Sequence, residues 1–525
     1  MADPLAAQTI PALVQAGAHT WPDAEAVVDG EVRLTYVELA ARVDAFAAAL
    51  LARGHQPGDR VAVWAPNGWR WIVAALGTLT AGGVLVPLNT RYKGSEAGYI
   101  LRRTGAKLLV TQDGFLGNHY VAMLAGEDLP ALSTVVSTEP VPATPGGRGA
   151  LGWDEFVAGG AAVPVEVVRR RAESVTGDDL ADIFFTSGTT GLPKGAMATH
   201  APALRIYTSW SELAGLRAGD RYLIVNPFFH TFGYKAGVLA CLLRGATIVP
   251  MPVFDVEATL ATIARERITV VPGAPTLYIS ILDHPKRSEY DLSSWRVAVT
   301  GAATVPVVMI ERLQSELALR TVLTAYGMTE CNGTATMCLP GDDAQTVANT
   351  CGRAIPDTEV RVAGPDGSTL PSGEPGEVLV RGFGVMRGYL DDEESTRQAI
   401  DADGWLHTGD IGVMDERGYL KITDRLKDMF IVGGFNVYPA EVEQALARHP
   451  AVAESAVIGV PDERLGEVGR AFVVLKPGAR CSDDDLLSYA RERLANFKVP
   501  RSVVFVDSLP RNAGGKVTKN VLRER

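Results

Sequence analysis

Up to about residue 400 the chain alternates helix-like stretches rich in Ala and Leu, such as Val37 to Ala52 and Pro306 to Leu317, with short β-branched runs. Arg60 to Trp64, Lys107 to Thr111, Thr269 to Val271 and Arg296 to Thr300 are runs of the second kind. That alternation predicts mostly parallel sheets covered by helices, the α/β class. At 525 residues, 47% of them hydrophobic, the chain can bury a large core. Its length corresponds to roughly three or four domain-equivalents of ~150 residues. The segment Trp71 to Leu88 is uncharged and approaches the ~20 residues that span a bilayer. It is broken by Gly77, Gly82, Gly83 and Pro87, so it reads as a buried helix ending at the Gly82-Gly83 pair, followed by a strand from Val84 to Pro87.

Charge and cysteine usage exclude several classes. Fifty basic residues against 61 acidic ones give a net charge of −11, with no basic block that would serve as a footprint for nucleic acid. Five scattered cysteines, none in C-x-x-C spacing, indicate neither a disulfide framework nor a structural zinc site, and they suit a reducing cytoplasm. Asp3 and Pro4 stand where a secretory leader would carry Lys or Arg, so no export signal is read. The sequence does not fix the oligomeric state, and a homodimer is kept as a candidate assembly.

From about Ser368 the texture changes. Pro371, Gly373, Pro375 and Gly376 punctuate short strands such as Glu377 to Arg381, which predicts an antiparallel, β-rich subdomain. Gly409 to Met414 is expected to pair with Tyr419 to Thr423 through a turn at Asp415 to Gly418. The charged segment Asp424 to Asp428 then marks a boundary between residues 1–426 and residues 427–525. The smaller part reads as an α+β unit with helices from Ala440 to Arg448 and Asp483 to Leu494, and strands from Glu454 to Gly459 and Arg470 to Lys476. It carries 15 basic and 13 acidic side chains, so a slightly cationic small domain accompanies an anionic large one.

The sharpest chemical signal is Thr186-Ser-Gly-Thr-Thr-Gly-Leu-Pro-Lys-Gly195, directly after the apolar run Ile183 to Phe185. A strand opening into Gly, Ser and Thr offers backbone N–H groups and hydroxyls, and Lys194 adds a positive charge, a combination suited to a polyphosphate. It is not the Walker A loop, because Pro193 stands where that pattern requires its second glycine and Gly195 follows Lys194 in place of Ser or Thr. Nor is Ser187 a nucleophile elbow, since Phe185 occupies the first glycine position of G-x-S-x-G.

This loop resembles the signature T-S-G-T-T-G-x-P-K-G of the adenylate-forming superfamily, which includes acyl-CoA synthetases, peptide-synthetase adenylation domains and firefly-type luciferases. Further runs match in the family's order. The resemblance implies that Thr186, Ser187, Gly188, Thr189, Thr190, Gly191 and Lys194 hold the ATP phosphates. It implies that His230, in Asn226-Pro-Phe-Phe-His-Thr-Phe-Gly233, sits at the acyl pocket and helps to gate it. Gly301-Ala302-Ala303 and Ala325-Tyr-Gly-Met-Thr-Glu330 resemble the adenine-binding turn and the Y-G-x-T-E motif, so Tyr326 would lie against the adenine, Gly327 would belong to the ATP site, Thr329 would lie on phosphate and Glu330 on Mg²⁺. Asp410, in Gly404-Trp-Leu-His-Thr-Gly-Asp410, would accept hydrogen bonds from the ribose hydroxyls, and Arg425 would contact the ribose. Lys427 would be the hinge of a mobile C-terminal lid, Gly433 and Gly434 would line the channel for coenzyme A, and Lys516 would be the adenylation lysine. Asp424 stands where many relatives carry Gly, and Asn512-Ala513-Gly514 replaces the more frequent Thr-x-Ser.

The activity implied is that of an ATP-dependent, AMP-forming acid:CoA ligase acting through an acyl-adenylate and then a thioester, with ATP, Mg²⁺ and coenzyme A taking part. Phe232, Tyr234, Lys235, Gly237, Thr304, Met328, Cys331 and Asn332 would face the acyl pocket, and Lys235 and Asn332 are polar in what would be a greasy tunnel for a plain fatty acid. Runs such as NPFFHTFGYKAGVLACL and LTAYGMTECNG are similar to the steroid-catabolic group of actinobacterial acid:CoA ligases, which implies a bicyclic steroid-derived propionate as substrate. Medium-chain fatty acids and aryl acids are the alternatives within the class. Outside it stand a luciferase-like oxygenase, a non-catalytic nucleotide-binding module, and a peptide-synthetase adenylation domain. The last is disfavoured by a chain that ends nine residues after Lys516.

Overall fold

The computed structural model describes residues 3–141, 149–187, 192–301, 305–425, 430–437, 439–510, 517 and 519–524. The chain divides into two compact units. One comprises Met1–Thr90, Leu101–Phe184 and Gly195–Thr423, and the other comprises Arg91–Ile100, Phe185–Lys194 and Asp424–Arg525.

An eight-stranded sheet dominates the first unit, in the order Gly388–Tyr389, Pro193–Thr199, Leu180–Ser187, Val84–Pro87, Arg60–Trp64, Leu108–Thr111, Thr134–Ser137, Leu151–Gly152. From Val84–Pro87 to Leu151–Gly152 every pairing is parallel, and Leu85 is also parallel partner to Asp182. The central strands are continuous apolar runs because helices cover both faces; Val61, Val63, Leu85, Val86 and Val110 have no exposure at all. Trp69–Thr80 is the expected buried helix and Val84–Pro87 the expected strand. Between them Gly82 adopts φ +73°, and a Cβ on Gly83 would lie 2.4 Å from His55 Nε2 and 3.0 Å from the Asp59 carbonyl, so the turn needs its glycines. None of the described helices is long and apolar enough to cross a membrane.

Two smaller sheets complete the helix-covered part. One has the order Arg221–Ile224, Thr247–Pro250, Glu25–Asp29, Val32–Thr35, and the other the order Val297–Thr300, Thr321–Tyr326, Thr336–Met337, Arg353–Ala354. The expected strand at Thr269 to Val271 shrinks to bridges from Val270 to Tyr222 and Val297, which stitch these sheets together. Pro272 follows at once and has no N–H to extend a ladder. The β-rich region is a four-stranded sheet of Thr358–Ala363, Gly376–Gly382, Leu406–Met414 and Leu420–Arg425. Its last hairpin turns where expected, with Asp415 N donating to Tyr419 O at 3.0 Å and Gly418 at φ +80°.

In the second unit Phe435–Val437, Phe430–Val432, Gly466–Leu475 and Val452–Asp462 lie in that order, and Ser502–Phe505 runs parallel to Gly466–Leu475. Helices Pro439–Ala447 and Asp483–Arg493 accompany this sheet, the second started by a capping box between Ser482 and Asp485. Val457, Ile458, Val473, Leu486 and Ala490 form its apolar interior. Lys498 is buried in the same unit, with Nζ 2.8 Å from Glu96 and 2.5 Å from Glu441.

Candidate active site

Two neighbouring parallel strands, Val297–Thr300 and Thr321–Tyr326, end side by side, with Thr300 opposite Thr324. Gly301 follows the first, and a Cβ there would stand 2.7 Å from the carbonyl of Ala325. Only glycine lets the turn after the strand lie so close to its neighbour. Gly327 is constrained more tightly, since a Cβ would meet the Gly333 carbonyl oxygen at 2.5 Å. Between these turns the half-buried Tyr326 donates its hydroxyl to Asp410 Oδ2 at 2.7 Å. Asp410 is set in turn by Thr408, whose Oγ1 accepts from the Asp410 N–H at 3.1 Å and donates to Val378 O at 2.7 Å. Burial, reinforced by the Asp410 carboxylate, pushes the Tyr326 phenol well above its ordinary pKa, so it remains a donor. Tyr326 and Asp410 are 84 positions apart in sequence and meet here.

Thr329 opens the short helical turn Thr329–Cys331 and is half-buried, whereas Glu330 is buried. Glu330 Oε1 accepts from the hydroxyl of Tyr389 at 2.9 Å, and its carbonyl accepts from Met386 N at 2.8 Å. Asn332 ends the turn at φ +58°. Tyr389 belongs to the edge strand Gly388–Tyr389, registered against Met197 and Ala196. Nothing in the sequence around Tyr389 announces this partnership.

Thr186 is the penultimate residue of the strand Leu180–Ser187 and Lys194 the second residue of the strand Pro193–Thr199; both are half-buried. Gly188, Thr189, Thr190 and Gly191 lie outside the described residues, as do the Ser187 side chain, Ala302, Ala303, Thr304, Lys427 and Lys516. Arg425 ends the strand Leu420–Arg425, and its side chain is likewise outside them. In the second unit Gly433 and Gly434 take φ +55° and +85° and join two antiparallel strands in the register Val432 opposite Phe435. Two successive positive φ values are what a two-residue hairpin turn requires, which accounts for the Gly-Gly pair by geometry.

The loop carrying His230 is held by a residue that the sequence does not single out. Asn67, buried, donates through Nδ2 to the carbonyls of Ile224, Asn226 and Met251 at 3.2, 2.9 and 3.2 Å, and its Oδ1 accepts from Phe228 N at 2.8 Å. Gly233 packs under the same loop, where a Cβ would lie 2.1 Å from Pro227 O. His230 caps the turn Thr231–Gly233, its Nδ1 accepting from Phe232 N at 3.3 Å. His230 is exposed, and desolvation by the surrounding protein lowers its pKa.

A π-helical turn, Tyr234–Leu239, follows. Phe232 before it is half-buried, and Gly237 within it packs against Ile224, with 2.8 Å from a hypothetical Cβ to Ile224 Cδ1. Lys235 does not reach solvent. Its Nζ lies 2.9 Å from Asp182 Oδ1 and 2.7 Å from Asn332 Oδ1, and 5.4 Å from the centroid of the Phe184 ring. Asp182 and Lys235 side chains are each 1% exposed. Desolvation raises the Asp182 pKa and lowers that of Lys235, and each partner's charge opposes the shift of the other. Asn332 also donates to Gly384 O at 2.9 Å. Cys331 is buried, its thiol pushed up to about 12 by desolvation, and exchanges hydrogen bonds with the backbone of the half-buried Met328.

Sequence comparison resolves what this assembly belongs to. A family described as AMP-binding enzyme matches residues 14–390, and the AMP-binding enzyme C-terminal domain matches residues 441–516. The chain belongs to the AMP-binding enzymes. It is 57% identical over 98% of both chains to the 3-[(3aS,4S,7aS)-7a-methyl-1,5-dioxo-octahydro-1H-inden-4-yl]propanoyl:CoA ligase of Rhodococcus jostii. It is 56% identical to the ligase of the same name from Mycobacterium tuberculosis, covering 98% of this chain and 99% of that one. Among solved structures it resembles an amide bond synthetase from Marinactinospora thermotolerans, with TM-score 0.84 and 31% identity over 98% of this chain and 99% of that one.

This AMP-binding enzyme is an acyl-CoA ligase in class, and its fold is the α/β arrangement that the sequence alternation implies. The side chains that sequence reasoning missed are Asn67, Asp182 and Tyr389. Each acts through a partner more than 50 positions away, and no local pattern marks any of them.

Proposed function

We propose that the enzyme activates a bicyclic dione propionate with ATP and transfers the acyl group to coenzyme A. The observation that carries the substrate is the 57% identity, over 98% of both chains, to a ligase named for that acid. A carboxylate does not yield to a thiol directly, because oxide would have to leave. In the first step a carboxylate oxygen attacks the α-phosphorus of ATP and pyrophosphate departs. In the second the CoA sulfur attacks the acyl carbonyl, AMP departs and the thiol proton passes to solvent. No protein nucleophile is needed, so positioning and electrostatics provide the acceleration.

In this reading Asp410 and Arg425 hold the ribose, Tyr326 and the Gly301 turn hold the base, and Thr186 to Gly191, Lys194 and Thr329 hold phosphate. Lys516 neutralises charge gathering between the carboxylate and the α-phosphate. Glu330 fits a Mg²⁺ ion that keeps water and substrate phosphates as its other ligands, since it offers a single hard carboxylate. Among the described residues no group of three or more His, Cys, Asp or Glu forms a protein cage for a metal. When bound, the ion would neutralise the departing pyrophosphate. Residues 427–525 act as a lid turning about Lys427 between the steps, and Gly433 and Gly434 line the route of the thiol. The five free cysteines, Cys241, Cys331, Cys338, Cys351 and Cys481, support a cytoplasmic setting.

The test is acid-dependent exchange of labelled pyrophosphate into ATP, followed by CoA-dependent release of AMP, over a panel containing the dione propionate, medium-chain fatty acids and aryl acids. The dione propionate is expected to give the highest kcat/KM. Higher turnover of octanoate or benzoate would replace this substrate, and exchange without CoA-dependent release would remove the ligase reading.

A further inference from the structure

The buried group around Lys235 has more hydrogen-bonding capacity than the protein uses. An ammonium carries three N–H donors, and that of Lys235 serves Asp182 and Asn332. The hydroxyl of Tyr234, the preceding residue on the π turn, is fully buried and has no partner among the described residues, and the same holds for Asp182 Oδ2. Such atoms are costly. Burying an unsatisfied polar group or an ion pair generally loses to filling the space with apolar side chains. Three separate elements contribute to the group: the strand that runs into the phosphate loop, the π turn that begins four residues after His230, and Asn332, two residues after Glu330. These elements contain or adjoin the candidates for holding phosphate, gating the acyl site and holding the metal. Phe184 and Tyr234 stack at 6.3 Å between ring centroids within the buried core, so the polar atoms are set among apolar side chains.

We infer that Tyr234 and Lys235, held in place by Asp182 and Asn332, form the polar end of the acyl site and read a ring carbonyl of the acid. The inference rests on the dione substrate proposed above. A ketone oxygen accepts hydrogen bonds and donates none, and the unsatisfied Tyr234 O–H and the third Lys235 N–H are both donors. Asp182 is a positioning residue: its negative charge keeps Lys235 an ammonium, and Asn332 fixes the direction of the Nζ. Both donors are sealed from solvent, so binding the carbonyl requires the π turn, a feature frequent at functional sites, to move. An acid without a ring oxygen would leave the donors unpaired, and a site built to hydrogen-bond its substrate discriminates strongly against such an analogue.

The experiment measures kcat/KM for the dione propionate and for the same bicyclic propionate lacking both ring oxygens, in the wild-type enzyme, in Tyr234→Phe, and in the double variant Asp182→Leu/Lys235→Met. The double change removes both charges together, so no lone buried ion is left. In the wild type the dione should be preferred. Each variant should reduce the ratio of the two kcat/KM values by about 10- to 100-fold, the range expected for losing a hydrogen bond to a charged or buried donor. A ratio that stays at the wild-type value in both variants, whatever happens to the absolute rates, would overturn the inference, because a merely structural role lowers both acids alike. Tyr234→Phe leaves the ion pair intact and decides the matter if the double variant does not fold. A wild-type enzyme that fails to turn over the dione would instead overturn the substrate proposal.

Discussion

At one corner of the first unit Tyr326 and Asp410 meet through a 2.7 Å hydrogen bond, both half-buried, on strands whose neighbouring turns are fixed by glycines. At the other, Asp182, Lys235 and Asn332 are bound to one another with at most 1% of each side chain or residue exposed. The first corner keeps its polar groups within reach of water, so losing a ligand costs it little. The second has traded solvation for internal pairing, and any charge there depends on its partner. In the roles proposed above, recognition of a nucleotide and recognition of one acid place different demands on the same unit. The nucleotide corner can be exposed and reusable, whereas selectivity gains from groups whose only alternative to the right ligand is an unsatisfied bond.

Neither corner performs the chemical step in the mechanism proposed, and the largest effect should come from a residue belonging to neither. Lys516→Ala is expected to lower acyl-adenylate formation by about 100- to 1,000-fold, the usual consequence of removing one charge-stabilising group. Thioester formation from supplied acyl-adenylate should survive. Lys427→Pro should show the reverse pattern. Pyrophosphate exchange and single-turnover thioester assays separate the two, and equal loss of both half-reactions in each variant would contradict the division of labour.

The next effect bears on the sealed corner directly. Asp182→Leu leaves the Lys235 ammonium buried without its counter-charge, and we expect a loss of about 3–5 kcal/mol in unfolding free energy. Asp182→Leu combined with Lys235→Met should recover most of that loss, because no unpaired charge remains. Urea denaturation of the two variants makes the comparison. If the single variant proved no less stable than the double, Lys235 would have another route to compensation and the contrast between the corners would weaken.

The same contrast explains what the sequence could disclose. Gly301, Tyr326, Glu330 and Asp410 stand in short strings whose spacing is dictated by backbone turns, such as the 2.5 Å approach that forbids a side chain at Gly327. Chemistry fixed by local geometry leaves a local trace. The alternation of helices and strands was legible for the same reason, because each element must satisfy its own periodicity. Asp182 reads as one acid in an apolar strand, and its meaning appears only when Lys235, 53 positions later, and Asn332, 97 positions after Lys235, are brought to it. Tyr389 and Asn67 were silent likewise, since a hydroxyl for Glu330 or an amide for a loop's carbonyls can be supplied from anywhere the fold brings near. The strand at Thr269 to Val271 was overread because β-branched residues signal extended backbone, whereas ladder length was decided by Pro272.

The nucleotide corner should respond through binding. Asp410→Ala removes an ionised acceptor, and with roughly 1.5–3 kcal/mol at stake per charged hydrogen bond the KM for ATP should rise by about 10- to 100-fold. Stability should change much less than in Asp182→Leu, because Asp410 is only half-buried. Equilibrium ATP titration and urea denaturation on one preparation give both numbers. An Asp410 variant that unfolds as readily as Asp182→Leu would show that the nucleotide corner is structural as well.

Tyr326→Phe sharpens the distinction with the smallest perturbation. The ring that would lie against adenine remains, and only the hydroxyl that donates to Asp410 Oδ2 is lost. A single hydrogen bond to a half-exposed carboxylate that water can re-solvate is worth about 0.5–1.5 kcal/mol, so the KM for ATP should change by no more than about tenfold. Its direction is informative. If the hydroxyl orients Asp410 for the ribose, KM rises; if it competes with the ribose for the same oxygen, freeing Asp410 lowers KM. Comparing ATP with 2′-deoxy-ATP separates these outcomes, because an orienting hydroxyl predicts that Tyr326→Phe costs ATP more than the analogue with fewer ribose donors. Equal changes for both nucleotides would show that the hydroxyl does not act through the contact of Asp410 with the 2′-OH.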